Sequence, residues 1–196
     1  MGELTIQRFK GNQTLSFIDK LAELRIKIFK EYPYLYEGNI EYEREYLKTY
    51  TECKESILVI VKDGSEVVGV STAIPLVFET PECQKPFIEQ KLTLSNIFYF
   101  GESVLLPQYR GSGIYRQFFH ERENAARNYG SHMAVFCAVV RDDNDPRRPK
   151  EYVSLNNVWQ RFGYQQDPEL HAIYQWQEVD SSIQTSKPMV FWTKAL

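Results

Sequence analysis

Phe98-Tyr99-Phe100-Gly101-Glu102-Ser103-Val104-Leu105-Leu106-Pro107-Gln108-Tyr109-Arg110-Gly111-Ser112-Gly113-Ile114-Tyr115 is the most informative stretch of this 196-residue chain. Ile97 to Leu106 reads as a buried strand, and Pro107 ends it. Gly111 and Gly113 form a turn that opens directly onto an amphipathic helix from Ile114 to Tyr129, closed by Gly130 at its C′ position. Glycines let a backbone turn tightly and approach a ligand, and the free amides of a first helical turn point outward with the helix dipole behind them. Such a turn is an anion site suited to a pyrophosphate. It is not a Walker A loop, because no Gly-Lys-Ser/Thr follows, and it lacks the G-x-G-x-x-G spacing of a dinucleotide fingerprint.

Outward from this stretch, the hydrophobic pattern switches repeatedly between strand and helix periods. Leu4 to Phe9 predicts a first strand. Ser16-x-x-Asp19 predicts a capping box ahead of the helical stripe Phe17, Leu21, Leu24 and Ile28. Tyr32-Pro33-Tyr34-Leu35-Tyr36-Glu37-Gly38 breaks that helix, and a more polar one runs from Ile40 to Tyr50. Ile57–Val61 and Val67–Val70 flank an Asp63-Gly64 turn and form a hairpin. Pro75 to Leu94 is interrupted by prolines, with a short helix around Phe87. Beyond Gly130 come a strand from Met133 to Val140 and a polar loop from Arg141 to Lys150. A short helix carrying Leu155, Val158, Trp159 and Phe162 follows, and strands at Ala172–Glu178 and Met189–Thr193 finish the chain. No repeat or linker divides residues 1–196, so they form a single α/β domain, a mixed sheet covered by helices.

Composition removes several classes of function. A formal net charge of −3 gives no basic footprint for nucleic acid. No apolar run reaches membrane-spanning length. The N-terminus has neither a signal-peptide pattern nor, with Ile6 where Ser or Thr is required, a myristoylation motif. Cys53, Cys83 and Cys137 are odd in number and widely spaced, which fits a reducing cytoplasm and neither a disulfide framework nor a metal site. His120, His132 and His171 share no metal-ligand spacing.

Gln108-Tyr109-Arg110-Gly111-Ser112-Gly113, placed between strand and helix, resembles motif A of the GNAT N-acetyltransferases, whose turn reads Q/R-x-x-G-x-G/A. Trp159-Gln160-Arg161-Phe162-Gly163-Tyr164 resembles the second signature of that superfamily, an aromatic–x–x–x–Gly–aromatic run at a helix end. The order of elements matches as well, so the likeness covers nearly the whole chain. It implies a central twisted sheet of about six to seven strands flanked by about four helices. A narrower likeness, to a bacterial GNAT subgroup, rests on Arg25, Phe29 and Tyr32–Gly38, on Asp145-Pro146-Arg147-Arg148-Pro149 with Tyr152, and on Lys187–Trp192.

The resemblance implies acetyl transfer from acetyl-CoA, without a metal, to a primary amine on a small molecule or peptide. Amides from Arg110 to Tyr115 would hold the pyrophosphate, with Gln108 and Tyr109 leading into the turn. A backbone N–H near Val104 or Leu105 would stabilise the oxyanion. Glu102 stands where an acidic residue often serves these enzymes as base; the other reading is a carboxylate paired with a neighbouring cation. Strand alternation puts Phe100, Glu102 and Val104 on one face, and Gly101 marks a bulge. Trp159 occupies the position of the usual acid tyrosine, and an indole cannot deliver a proton. Tyr152, Ser154, Tyr34 and Tyr36 are substitutes, and Trp159 becomes core or a wall beside the pantetheine arm. Tyr32, Tyr34 and Tyr36 fall where the superfamily lines its acceptor cleft. They form either a wall for a hydrophobic or cationic acceptor or a rigid packed turn. Arg147 and Arg148 read as solvated loop charges, and Cys137 as a small buried hydrophobe. Two other functions remain open: a CoA-binding sensor without turnover, and an acetyltransferase acting on a folded protein. The C-terminal strands offer an edge for a homodimer.

Overall fold

The computed structural model describes residues 3–196; Met1 and Gly2, on which part of the N-terminal reading rests, lie outside the described residues. The elements, in chain order, are β1 (Leu4–Phe9), α1 (Ile18–Phe29), α2 (Ile40–Glu52), β2 (Ile57–Asp63), β3 (Glu66–Pro75), α3 (Pro81–Glu89), β4 (Ile97–Leu105), α4 (Ile114–Tyr129), β5 (Met133–Val139), α5 (Asn156–Arg161), β6 (Gln165–Gln177) and β7 (Gln184–Ala195). The seven strands form one sheet in the order β1-β2-β3-β4-β5-β7-β6. Every neighbouring pair is antiparallel except β4 and β5, which α4 joins as a crossover. This is the mixed α/β architecture the sequence predicts. No helix among the described residues is long and apolar enough to cross a membrane.

Helices cover both faces, which is why Ile57–Val61 is a continuous buried run rather than an alternating one. Phe98 and Phe100 point to the α4 side, where they meet Tyr129 and Phe119, and Phe136 meets Trp159 of α5 on the same side. Helices α1 and α2 pack on the opposite face, as does α3, whose Phe87 stands edge-on to Phe191 at 4.9 Å. Arg122 lies buried on the inner side of α4, with its guanidinium carbon 4.5 Å from the Phe100 ring centre and 4.6 Å from that of Phe119.

Three sequence expectations change. The Ser16–Asp19 capping box does not form. A 3-10 turn over Gly11–Phe17 precedes α1, and the Ser16 hydroxyl donates back to the Gln13 carbonyl. The box sits one turn earlier, where the Gln13 side chain accepts the Lys10 amide. Packing decides this, because the tight turn lays Phe17 against Phe9 with ring centres 4.5 Å apart. The last two strands are also much longer than Ala172–Glu178 and Met189–Thr193. Most of β6 is solvent-facing and its pairing slips between Gln166 and His171, so hydrophobic alternation marks only its inner end.

The third change concerns β4. Ser71 pairs with Ser103 and Ala73 with Phe100, so β4 carries one residue more than β3 between those points. The bulge falls at Gly101–Glu102, opposite Thr72. It turns Glu102 away from the face of Phe100 and toward α1 and α2, where it meets Arg25 and Thr72. Simple alternation therefore fails, and Phe100 and Glu102 lie on opposite faces of the sheet. A Cβ on Gly101 would run into the Tyr50 hydroxyl and Thr72 Oγ1. Gly101→Ala is accordingly expected to cost about 1–3 kcal/mol in urea unfolding; an unchanged unfolding midpoint would mean that Tyr50 yields freely.

Candidate active site

Strands β4 and β5 pair only through Ile97–Met133, Phe98–Ala134 and Tyr99–Val135. Beyond Tyr99 they part, although β4 runs on to Leu105 and β5 to Val139. Parallel strands that separate leave a wedge open to an extended chain, and the bulge at Gly101 stands where it opens. Val104 and Leu105 continue β4 past that point and pair with Val70 and Gly69 on the other side.

At the far end of β4 the chain makes a short 3-10 turn, Pro107–Tyr109, and enters α4 through Gly111 and Gly113, with φ of 78° and 85°. These left-handed values favour glycine, and a Cβ at either position would meet nothing within 4 Å. Among the described residues, the amides of Gly111 to Tyr115 have no backbone carbonyl partner, whereas that of Arg110, which the sequence reading included, bonds to the Pro107 carbonyl at 3.1 Å, and those of Arg116 and Gln117 bond to Gly113. The Ser112 hydroxyl donates to the Tyr109 carbonyl, and the Tyr109 hydroxyl donates to Asp63 at 2.8 Å, which fixes the turn against the end of β2. Arg110 reaches Glu31 at 3.0 Å, and Gln108 is exposed. Ile114, the first residue of α4, is buried.

On the α1–α2 side, Gly101 and Glu102 border a cavity of about 730 Å³. Arg25, from α1, donates Nε to Glu43 of α2 and Nη1 to Glu102, and stacks between Phe29 and Tyr46 with ring centres at 5.1 and 4.8 Å. Burial opposes the Arg25 charge, but Glu102 and Glu43 outweigh it and hold its pKa well above the ordinary value. Glu102 also accepts from the Thr72 hydroxyl at 2.6 Å. This is the cation-paired arrangement, the second of the two sequence readings of Glu102. Glu79, between β3 and α3, lines the same cavity and accepts from the Tyr50 hydroxyl at 2.9 Å and from the Thr80 amide at 3.0 Å. Burial pushes its carboxyl above the usual range, only partly offset by those two bonds.

The predicted aromatic residues separate into two groups. Tyr34 and Tyr36 line the cavity, and the Tyr34 carbonyl is held by Arg141 at 2.9 Å and by the Trp176 indole at 3.1 Å. Tyr32 does not line it, and packs edge-on against Tyr152 at 4.7 Å, with Arg148 over the Tyr152 ring. Tyr152 is thus placed with the Arg141–Lys150 loop rather than with Glu102. Trp159 is half-buried against Phe136 and Trp192, and its indole donates to the Tyr115 hydroxyl at 2.8 Å. Cys137 lines the cavity beside Tyr99, 3.2 Å away, and burial pushes its thiol up to about 11. Arg147 is bound by Asp145, Glu178 and Asp180.

Sequence reasoning missed Glu43, Glu79, Tyr46 and Tyr50. Glu43 had a signal: with Leu47 and Tyr50 it sits on the buried stripe of α2, a carboxylate where an apolar residue is expected. Glu79 precedes Thr80-Pro81, an N-cap followed by proline that opens α3. Among the described residues, no cluster of His, Cys, Asp or Glu is arranged to hold a metal ion.

No family model and no curated protein matches the sequence. Solved structures match the fold. Ribosomal-protein-alanine N-acetyltransferase from Brucella melitensis superposes with a TM-score of 0.63 at 12% identity, covering 98% of this chain and 99% of that one. Arabidopsis thaliana NAA60, in complex with a bisubstrate analogue, gives 0.61 at 12% over the same shares of the two chains. The yncA protein of Salmonella typhimurium, with its cofactor acetyl-CoA, gives 0.57 at 10%, covering 98% and 94%. The chain has the GNAT fold. Within that fold, β4, the glycine turn and the start of α4 are the segment whose sequence resembles motif A, and the Trp159–Tyr164 signature spans the end of α5 and the approach to β6.

Proposed function

We propose that this GNAT-fold chain is an acyltransferase that moves an acetyl group from acetyl-CoA to a primary amine in the cytoplasm. The observation that carries the reading is the continuity of two openings. The wedge between β4 and β5 leads from the unpartnered amides of the glycine turn to the Gly101 bulge, and Gly101 and Glu102 border the cavity. A donor with its pyrophosphate on Gly111–Tyr115 and its arm in the wedge would present its thioester where that cavity begins.

In this reading an amide of β4 near Val104 or Leu105 faces the developing oxyanion. The thiolate is a fair leaving group, since a thiol pKa is roughly 8.5, so departure does not require a strong acid. That suits a site where the Trp159 indole is spent on Tyr115 and Tyr152 is packed on Tyr32. Glu102 is tied to Arg25 and Thr72, and we assign it to holding the bulge and the cavity floor.

The test is calorimetric titration with acetyl-CoA followed by thiol release in the presence of a broad panel of amines. Binding with amine-dependent thiol release is expected. Binding without turnover on any amine, peptide or folded protein would instead leave a sensor, and absence of binding by folded protein would remove the proposal.

A further inference from the structure

We propose that the acceptor enters as an ammonium cation and that Glu79 takes its proton. This rests on the acyl-transfer reading and adds to it the charge class of the substrate and the identity of the base.

The cavity lining contains Glu37, Glu43, Glu79, Glu82 and Glu102, against the single cation Arg25 among its described residues. Arg25 spends its charge on Glu102 and on one oxygen of Glu43. The other oxygen, Glu43 Oε1, is fully buried, with the neutral Tyr36 phenol beside this carboxylate, so Glu43 contributes negative charge behind the cavity wall and no surface that a ligand touches. Glu79 has only neutral donors, the Tyr50 hydroxyl and the Thr80 amide. Tyr36, Tyr42 and Trp176 add aromatic surface to the same lining. Excess carboxylate with aromatic walls attracts an organic ammonium and repels an acidic acceptor.

Two carboxylates stand close to Gly101, and their surroundings divide the roles. Glu102 is committed to Arg25 through one oxygen and to the Thr72 hydroxyl through the other, so both of its oxygens are already engaged. Glu79 is buried without a cationic hydrogen-bond donor, and its Tyr50 partner is the group that a side chain on Gly101 would strike, so the Glu79–Tyr50 pair abuts the bulge. One proton passes from the bound ammonium to Glu79, leaving a lone pair on nitrogen. That pair attacks the thioester carbonyl carbon and the C–N bond forms. The C–S bond then breaks, its electrons leaving with sulfur, and the remaining excess N–H proton reaches the thiolate through solvent. Glu79 returns its proton to water, so the products are the amide, CoA thiol and one proton.

Other groups also bear on the pH response. Arg25 from α1, Tyr46 and Tyr50 from α2, and Glu102 from β4 face Glu79. Cys83 of α3, Cys137 of β5 and Tyr174 of β6 lie further round the same group. The tyrosines and cysteines have raised pKa values, chiefly through burial, so they stay neutral where a carboxylic acid titrates. An acidic limb above the usual carboxylate range is therefore assigned to Glu79.

The experiment uses the full chain with acetyl-CoA and cadaverine or tyramine as cationic probes, with L-glutamate as the anionic comparison. The cations are expected to be acetylated with kcat/KM at least about 100-fold higher than glutamate. Glu79→Gln should lower kcat by about 100-fold or more and abolish the acidic limb, with acetyl-CoA affinity unchanged. Should that variant misfold, Tyr50→Phe supplies the second test, shifting the acidic limb while Glu79 remains. Glutamate used as well as the cations, acetyl-CoA binding without turnover of either cation, or a wild-type pH profile in both variants would overturn the proposal. Failure to bind acetyl-CoA at all would instead strike the acyl-transfer reading beneath it.

Discussion

Gly113→Val is expected to weaken acetyl-CoA binding on the order of 100-fold while the domain stays folded. Gly113 has a φ of 85° and caps α4, and the space where its Cβ would go is empty. The cost to folding is therefore conformational, about 1–2 kcal/mol for an L-residue forced into the left-handed region. The cost to binding is separate, because the added side chain would occupy open space beside amides that have no backbone partner and that would meet the pyrophosphate. Hydrogen bonds to a charged group contribute about 1.5–3 kcal/mol each, so losing two at the lower end of that range, about 3 kcal/mol together, gives the stated factor. Gly111→Val, with the same open surroundings and a φ of 78°, should behave alike. Calorimetry for affinity and urea unfolding for stability separate the two effects. Wild-type affinity in both variants would move the donor site away from this turn.

The turn was legible because its chemistry is local. Strand, proline, two glycines and an amphipathic helix follow one another in the chain, and the structure keeps them as β4, Pro107, the positive-φ glycines and α4. The Ile57–Val61 hairpin arm was legible for the same reason. The cavity was not, because its polar groups come from α1, α2, the β3–α3 connection and β4, and no spacing rule links Arg25 to Glu102 or Tyr50 to Glu79. The bulge compounds this. A glycine in a strand signals a break in register, yet which residues change face depends on the partner strand, and here it moved Glu102 to the opposite side from Phe100. Tyr32, Tyr34 and Tyr36 show the same limit on a small scale. The backbone between them turns, with Leu35 at a φ of 52°, so neighbours of one residue type reach different surroundings.

Arg25→Met should lower stability at neutral pH by about 3–5 kcal/mol, a large share of the 5–15 kcal/mol typical of a domain. The guanidinium joins α1 to α2 and to β4 through carboxylates whose side chains are 0% and 1% exposed. Methionine keeps much of the volume and the contact with Phe29 and Tyr46, so the loss comes from two buried negative charges left facing each other. The pH dependence distinguishes this cause from lost packing. To fold, the variant must place a proton on one of the orphaned carboxylates, a proton the unfolded chain does not hold at neutral pH, so its stability should rise as pH falls toward the carboxylate range. Arg147 beside Asp145, and Arg8 beside Glu121, hold those carboxyls below their ordinary values in wild type and variant alike; their contributions, present at neutral pH and lost as pH falls through the folded-state pKa, cancel in the difference. The gap between wild type and variant should therefore be widest near neutrality and narrow toward pH 5, and Arg25→Met combined with Glu102→Gln should recover part of it at neutral pH. A deficit that is the same at both pH values would mean that packing against Phe29 and Tyr46, not charge, is what Arg25 provides.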